Sequence, residues 1–465
     1  MEVFILNIDF YNCNQLDIFL PLCWENAILT YSKIMKKQFV KGFINSWDFA
    51  LNDESDTLGE ALYCRDILFK NLETYCDTKI LIKEKESKEE LEKFILVNQD
   101  LGQPSMIHID TYYAHWNGYY QKKHSRHLGL IVDYNIENRL VSIIDPDIVG
   151  EIFKLDVDEL ENACEFYLKL TPVSNNKTNI SIGNILRNKI QNKNLIRKDM
   201  YIQIKRFGDL FKNKFIPEKE FNGSKDLQNM MDSNIISNLR EIMKARNMFI
   251  VYLNEAQIDM GVDFSQVIGK MRVILSKWNN IVNLLVKNCC FNWKINLNER
   301  IAKIIYMIAE LEEDAYKELE DGMFKTKNDS IYLDEKSNNS NYKIVDLEQF
   351  MNNKGFGKSK DDMDADFTDA AEFLIIKKQY ENGVINLKNV RFIIDLKNRF
   401  DNIVCEGQVI NIYESEVKGI GILCSSDWGN NHEMIKCISR NGDIYPVYFT
   451  SYDIAEDNFN NRISI

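Results

Sequence analysis

The stretch Leu128-Gly129-Leu130-Ile131-Val132-Asp133-Tyr134, Asn135-Ile136-Glu137-Asn138, Arg139-Leu140-Val141-Ser142-Ile143-Ile144, closed by Asp145-Pro146-Asp147, sets the fold class. Two apolar, β-branched runs flank a polar four-residue segment, the pattern of two antiparallel strands joined by a turn. Just upstream, Met106-Ile107-His108-Ile109 reads as another strand. Further upstream the pattern is helical. After Pro21, the residues Trp24, Ala27, Ile28, Tyr31, Ile34 and Met35 fall on one face at helical spacing, and Leu58 to Tyr75 repeats that period. The charged run Lys83 to Lys93 reads as a solvated surface helix leading to the strands. Helices followed by antiparallel strands predict an α+β domain over residues 1–175.

Beyond it, residues 176–328 lose the strand signal. Apolar residues recur with helical period in Ser237 to Asn254, Phe264 to Asn288 and Asn298 to Glu320, which predicts a helical bundle. The adjacent Cys289 and Cys290 read as core or helix-end thiols, since no histidine or further cysteine lies nearby to complete a metal site. Residues 329–366, rich in Asn, Lys, Ser, Asp and Gly, read as a linker. From 367 to 465 come short apolar runs: Val384 to Leu387, Val390 to Asp395, Gln408 to Tyr413, Gly419 to Leu423, Met434 to Ser439 and Tyr445 to Thr450. Their regular spacing predicts a β-sandwich, in which Trp428 and Tyr445 are core residues or mark a ligand surface.

A chain of 465 residues allows about three domains. Its 57 Lys and Arg against 70 Asp and Glu leave a net charge of −13, the wrong sign for a phosphate-backbone binder, so no nucleic-acid partner is expected. Met1 to Phe10 is apolar but contains Glu2 and Asp9 and has no leading basic residue, unlike a secretory signal. No apolar run approaches the ~20 residues that span a bilayer. The expected setting is the cytoplasm, without membrane attachment, and the ten cysteines, lacking a CxxC pair, are expected as mostly reduced, buried thiols.

Four of the five histidines, His108, His115, His124 and His127, fall within twenty residues. His124-x-x-His127 could offer a metal two nitrogens, but no acid at helical spacing and no cysteine pair supports that reading. A different grouping uses His127 at the mouth of one strand and Asp145 at the end of the next, brought together by antiparallel pairing. Thiol-based acyl transfer needs a poised cysteine, an imidazole that takes and returns a proton, and a group that orients the imidazole. Cys23 can supply the first. At the first turn of a helix it meets partial positive charge and unpaired N–H groups, which favour a thiolate and an oxyanion. Cys13 has no comparable helix start. The competing interpretation of Cys23 is a buried core thiol.

The segment Leu22-Cys23-Trp24-Glu25-Asn26-Ala27 is similar to the cysteine-tryptophan helix start of papain-like enzymes. Gly102-Gln103-Pro104-Ser105-Met106-Ile107-His108-Ile109-Asp110-Thr111-Tyr112-Tyr113, followed by His124-x-x-His127, the strand and Asp145-Pro146, resembles the butirosin biosynthesis protein H family. The resemblance is specific over about residues 12–150 and looser beyond. It implies a papain-like N-terminal domain that moves acyl groups from a carrier-protein thioester to an amine acceptor in thiotemplated, nonribosomal peptide-type pathways. The substrate would arrive on the phosphopantetheine of the carrier, with no bound cofactor and no metal. Cys23 would be the acyl-accepting nucleophile, His127 the general base and acid, and Asp145 its orienter.

The chain departs from the papain pattern at Asp17, six residues before the cysteine, where an oxyanion-hole glutamine belongs; Gln15 is the nearest glutamine. Asp133 stands where relatives often carry glycine. Gln15 and His124 are therefore the candidates for an oxyanion donor or supporting contact. Lys122, Lys123 and Arg126 are the basic residues that could meet an acidic carrier. Two alternatives remain open on the residues alone: a papain-like cysteine peptidase or hydrolase, and a non-catalytic ligand- or carrier-binding protein.

Overall fold

The computed structural model describes residues 22–52, 54–64, 68–148, 151–173, 180–221, 226–290, 293, 296–324 and 344–357, with shorter runs between 374 and 451. The chain divides into two compact units, Met1–Lys327 with Met434–Tyr448, and Asn328–Glu433 with Phe449–Ile465. It is an α+β protein.

The first part of the larger unit runs α1 (Cys23–Ile34), a 3-10 turn (Phe39–Asn45), β1 (Ala50–Leu51), α2 (Leu58–Ala61), β2 (Leu62–Tyr63), α3 (Leu68–Cys76), β3 (Thr78–Glu84), α4 (Lys88–Asp100), β4 (Ser105–Asp110), β5 (Arg126–Asn135), β6 (Leu140–Ile144), β7 (Phe153–Asp156), α5 (Val157–Ala163) and β8 (Phe166–Pro172). Six strands form one sheet in the order β3-β8-β4-β5-β6-β7, every pair antiparallel. Both faces of this sheet are covered. Met106, Leu128, Leu130, Ile144 and Leu168 pack with Ala27 and Ile28 of α1, while Ile107, Ile109, Ile131 and Ile143 pack with Leu91 and Ile95 of α4 and Leu160 of α5. A strand buried on both sides has no polar face to show, which is why Leu128 to Val132 reads as continuous apolar sequence.

Two expectations need correction. Leu58 to Tyr75 is not one helix: β2 separates α2 from α3. The charged run from Lys83 does not begin as a helix either. Lys83 and Glu84 end β3, an edge strand whose outer residues are solvated, and α4 starts at Lys88 behind Ser87, whose side chain accepts from the Glu90 N–H.

The helical segment contains α6 (Ile182–Gln191), α7 (Met200–Lys214), α8 (Pro217–Glu220), α9 (Leu227–Met231), α10 (Asn234–Met260), α11 (Ser265–Cys290) and α12 (Asn298–Phe324). No helix among the described residues is long and apolar enough to cross a membrane. The core behind the α1 face of the sheet continues into these helices through Ile204, Phe207, Leu239, Phe249, Trp278 and Ile305. The 175/176 boundary therefore marks a change of element type, while the apolar core runs across it. A buried ion pair sits at the junction: Arg246 of α10 lies 2.9 Å from Glu312 of α12, and Trp47 Nε1 donates to the same carboxylate at 3.0 Å.

Farther along, the described residues give a 3-10 turn (Glu348–Phe350), β9 (Phe356–Gly357) parallel to β10 (Leu374–Ile375), the antiparallel pair β11 (Val384–Leu387) with β12 (Val390–Ile393), and β13 (Asn431–Ile438) paired with β14 (Ile444–Ser451). The turn and β9 fall inside the stretch expected to be linker. β11 to β14 fall on expected strands. The described residues of the runs 408–413 and 419–423, among them Val409, Ile412, Ile420 and Ile422, form no strand, and these side chains are exposed. Tyr445 is exposed on β14, and Trp428 lies outside the described residues.

Candidate active site

Helix α1 starts directly at Cys23. Leu22 precedes it without a side-chain cap, and its carbonyl accepts from the Asn26 N–H at 2.8 Å. The first-turn N–H groups of a helix have no intrahelical carbonyl, so the positive end of α1 surrounds the cysteine. The packing of α1 on β5 sets the distance from there to the sheet. In the sheet, Leu130 pairs opposite Ile144, which carries His127 at the start of β5 and Asp145 just past β6 to the same end.

The three expected residues meet there. His127 Nε2 lies 2.8 Å from Asp145 Oδ1, and Cys23 is near enough to the same imidazole to act on its protonation. All three are buried, with 9%, 7% and 2% exposure for Cys23, His127 and Asp145. Burial alone would lower the imidazole pKa, but the hydrogen bonds and charges of Asp145 and Cys23 reverse that and raise it to about 10. The surroundings of the ring thus favour its protonated form. Burial pushes the Asp145 carboxyl up, yet His127, the Asp147 N–H (3.0 Å to Oδ1) and Trp116 Nε1 (2.9 Å to Oδ2) outweigh it and hold the group below the usual range. Trp116 is itself placed by stacking on Phe153 of β7 at 4.6 Å.

Two further links fasten α1 to its surroundings. Asn26 Nδ2 donates to Asp147 Oδ1 at 2.7 Å, tying the helix that begins at Cys23 to the loop that carries Asp145. Glu25, buried in the first turn, lies 3.4 Å from Lys244 of α10, and burial raises its pKa. His127, Asp145 and Asp147 bring a ring nitrogen and two carboxylate oxygens within 4.8 Å of one another, a group that could hold a metal ion. Three donors already engage the Asp145 carboxylate, an arrangement that suits an orienting group.

The remaining expected residues are elsewhere. His124 is 67% exposed, 2.6 Å from Asp110 and stacked on Tyr112 at 4.3 Å, so it is not joined to His127 as a ligand pair. His108 is buried, accepts from the Glu165 N–H and stacks on Phe166, which stacks on Trp24. His115 meets the edge of Trp116. Asp133 sits at a β-bulge, where the register of β5 against β6 shifts. Gln15, Asp17 and Cys13 lie outside the described residues. The basic residues each have a local partner: Lys122 donates to the Gly118 carbonyl, Lys123 lies 3.5 Å from Asp232, and Arg126 lies 3.9 Å from Glu165.

Sequence reasoning missed Trp116, Asn26 and Asp147. Only Trp116 left a trace, as a large aromatic in the otherwise polar, loop-like run His115-Trp116-Asn117-Gly118. Comparison with protein-family models and with curated proteins finds no match to this chain.

Proposed function

We propose that this protein is an amide-bond-forming acyltransferase, which moves an acyl group from a carrier-protein thioester through an acyl-cysteine on Cys23 to an amine. One observation carries the reading: a cysteine at a helix start neighbours an imidazole that lies 2.8 Å from a buried carboxylate. The Cys23 thiolate attacks the thioester carbonyl, and the His127 imidazolium gives its proton to the departing thiol. An amine then attacks the acyl-cysteine, His127 takes a proton from it, and the thiolate is restored. Asp145 holds the ring in place through both steps, and the first-turn N–H groups of α1 face the developing oxyanion.

Hydrolysis shares the first step and lets water finish, so the cluster supports a peptidase or hydrolase equally well. The likeness of residues 12–150 to the butirosin biosynthesis protein H family tips the choice toward amide synthesis in a nonribosomal peptide-type pathway. In this proposal residues 1–175 are the papain-like acyltransferase domain, 176–328 its helical domain, 329–366 a linker and 367–465 a β-sandwich. The acyl chain arrives on carrier phosphopantetheine, with no resident cofactor. A cytoplasmic setting fits the described cysteines, which are free thiols.

The test is intact-protein mass spectrometry after mixing with acyl-pantetheine thioesters. The wild type and Cys13→Ala should gain the acyl mass, Cys23→Ala should not, and added amine should discharge the adduct as an amide. Acylation that survives Cys23→Ala, or no acylation of any form, would overturn the reading and favour a binding protein.

A further inference from the structure

We propose that Asp147 is the acceptor-recognition residue, a carboxylate that draws a cationic primary amine to the acyl-cysteine and takes its first proton, so that amine is used in preference to water. The inference rests on the acyl-Cys23 reading and names the class of acceptor, an alkylammonium ion.

The geometry assigns Asp147 a part that Asp145 cannot play. Asp145 is buried and engaged through both oxygens by His127, Trp116 and the Asp147 N–H. Asp147 is exposed, and its carboxylate lies within 4.8 Å of both the Asp145 carboxylate and a His127 ring nitrogen. Its Oδ1 accepts from Asn26, while Oδ2 carries no hydrogen bond to a described residue. Asn26 follows Cys23 by three positions on α1, so the two share a helix face, and the carboxylate held by Asn26 is held on the nucleophile's side. Although the residue reaches solvent, neighbouring atoms crowd its carboxyl enough for desolvation to raise the pKa.

An amine at neutral pH is mostly R–NH3+ and has no lone pair for attack. It must lose one proton before the carbon–nitrogen bond forms and a second afterwards. After acylation His127 is neutral, having given its proton to the departing thiol, and it can accept only one. In the proposed sequence the ammonium N–H bond breaks and its proton passes to Asp147. The free amine attacks the acyl carbon, and the carbon–sulfur bond breaks to release the Cys23 thiolate. The second proton passes to His127, restoring the imidazolium. Asp147 returns its proton to solvent, and total charge is the same before and after. Water needs no such help from an anion, so Asp147 favours the cationic nucleophile alone.

The experiment follows discharge of acyl-Cys23, formed from hexanoyl-pantetheine, by two nucleophiles of similar size: ethylamine, a cation at neutral pH, and methoxyamine, which is neutral. Asp147→Asn keeps the shape, the acceptor for Asn26 and the backbone N–H to Asp145. It should lower the ethylamine-to-methoxyamine rate ratio about five- to tenfold, the scale of a partly exposed ion pair, while Asp147→Glu should retain most of the wild-type ratio. In the wild type, added salt should lower the same ratio by screening, a readout that needs no variant. Equal loss with both nucleophiles, or a ratio indifferent to Asp147→Asn and to salt, overturns the assignment and leaves the acyl-cysteine reading standing. Absence of acyl-Cys23 in the wild type overturns both.

Discussion

At Cys23 the decisive quantity is the charge on His127. With the imidazole pKa raised to about 10, the protonated ring is favoured near neutral pH. Burial pushes the thiols of Cys64, Cys76 and Cys164 up to about 12. Iodoacetamide near neutral pH should therefore label Cys23 ahead of these three, and His127→Ala should slow that labelling by about tenfold or more, as peptide mapping by mass spectrometry would read. The same shift makes the ring a pH-dependent stabiliser. Its folded pKa lies above an unfolded value of about 6.5, so its contribution is complete below that value and fades as pH rises through about 10. The difference in urea midpoint between wild type and His127→Ala should shrink over that window; a difference that grows with pH would sink the charge assignment. The placement of Cys23 at a helix start and of His127 beside Asp145 was legible because local rules set helix starts and antiparallel pairing. Asn26 and Asp147 meet across 121 positions, and Trp116 and Asp145 across 29, contacts that no local pattern in one sequence encodes.

Among the elements, the strands around the site were readable where both faces are buried and unreadable where solvent intrudes. β5 has an unbroken apolar run from Leu128 to Val132 and β6 is apolar but for Ser142, whereas β3 carries Lys79, Lys83 and Glu84 on a sheet edge and so mimics a charged helix. Short elements were also lost, because α2 and β2 are too brief for any period to declare itself. Their placement depends on close backbone approach. A Cβ built on Gly59 of α2 would stand 2.5 Å from the Ile235 backbone nitrogen and 3.0 Å from the Asn234 carbonyl carbon, at the start of α10. No side-chain rotation relieves a clash with backbone. Glu220 also accepts from the Leu58 and Gly59 N–H groups there, at 2.6 and 2.9 Å, so α2 is pinned on two sides. Gly59→Ala should cost about 1–3 kcal/mol, as overpacking does, and urea unfolding should show a lower midpoint with an unchanged slope. A midpoint equal to wild type would mean that α2 can shift away from α10 freely.

For the molecule as a whole, the question is whether the segment bearing Cys23, His127 and Asp145 stands on its own. Periodicity in the sequence told helix from strand on either side of residue 175, but it says nothing about which elements share a core. The structure answers through Arg246 and Glu312, both fully buried on α10 and α12, with Trp47 from the first segment and Trp278 from α11 donating to the same carboxylate at 3.0 and 3.4 Å. Arg246 also donates to the Asp48 carbonyl, and Arg197 reaches the Asp48 carboxylate at 2.8 Å. The Trp47 and Asp48 contacts persist only while both segments are folded against each other. Glu312→Ala would strand a buried guanidinium and orphan two indole N–H groups, a loss of about 3–5 kcal/mol by analogy with other broken buried pairs. Because the core is continuous, that loss should reach the active site. Far-UV circular dichroism, which follows mainly the helices, and accessibility of the Cys23 thiol, which follows α1 against the sheet, should shift together to the same lower denaturant midpoint. If the helices melted early while Cys23 stayed protected to the wild-type midpoint, the two segments would be separate folding units, and Cys23 would owe its position to the sheet alone.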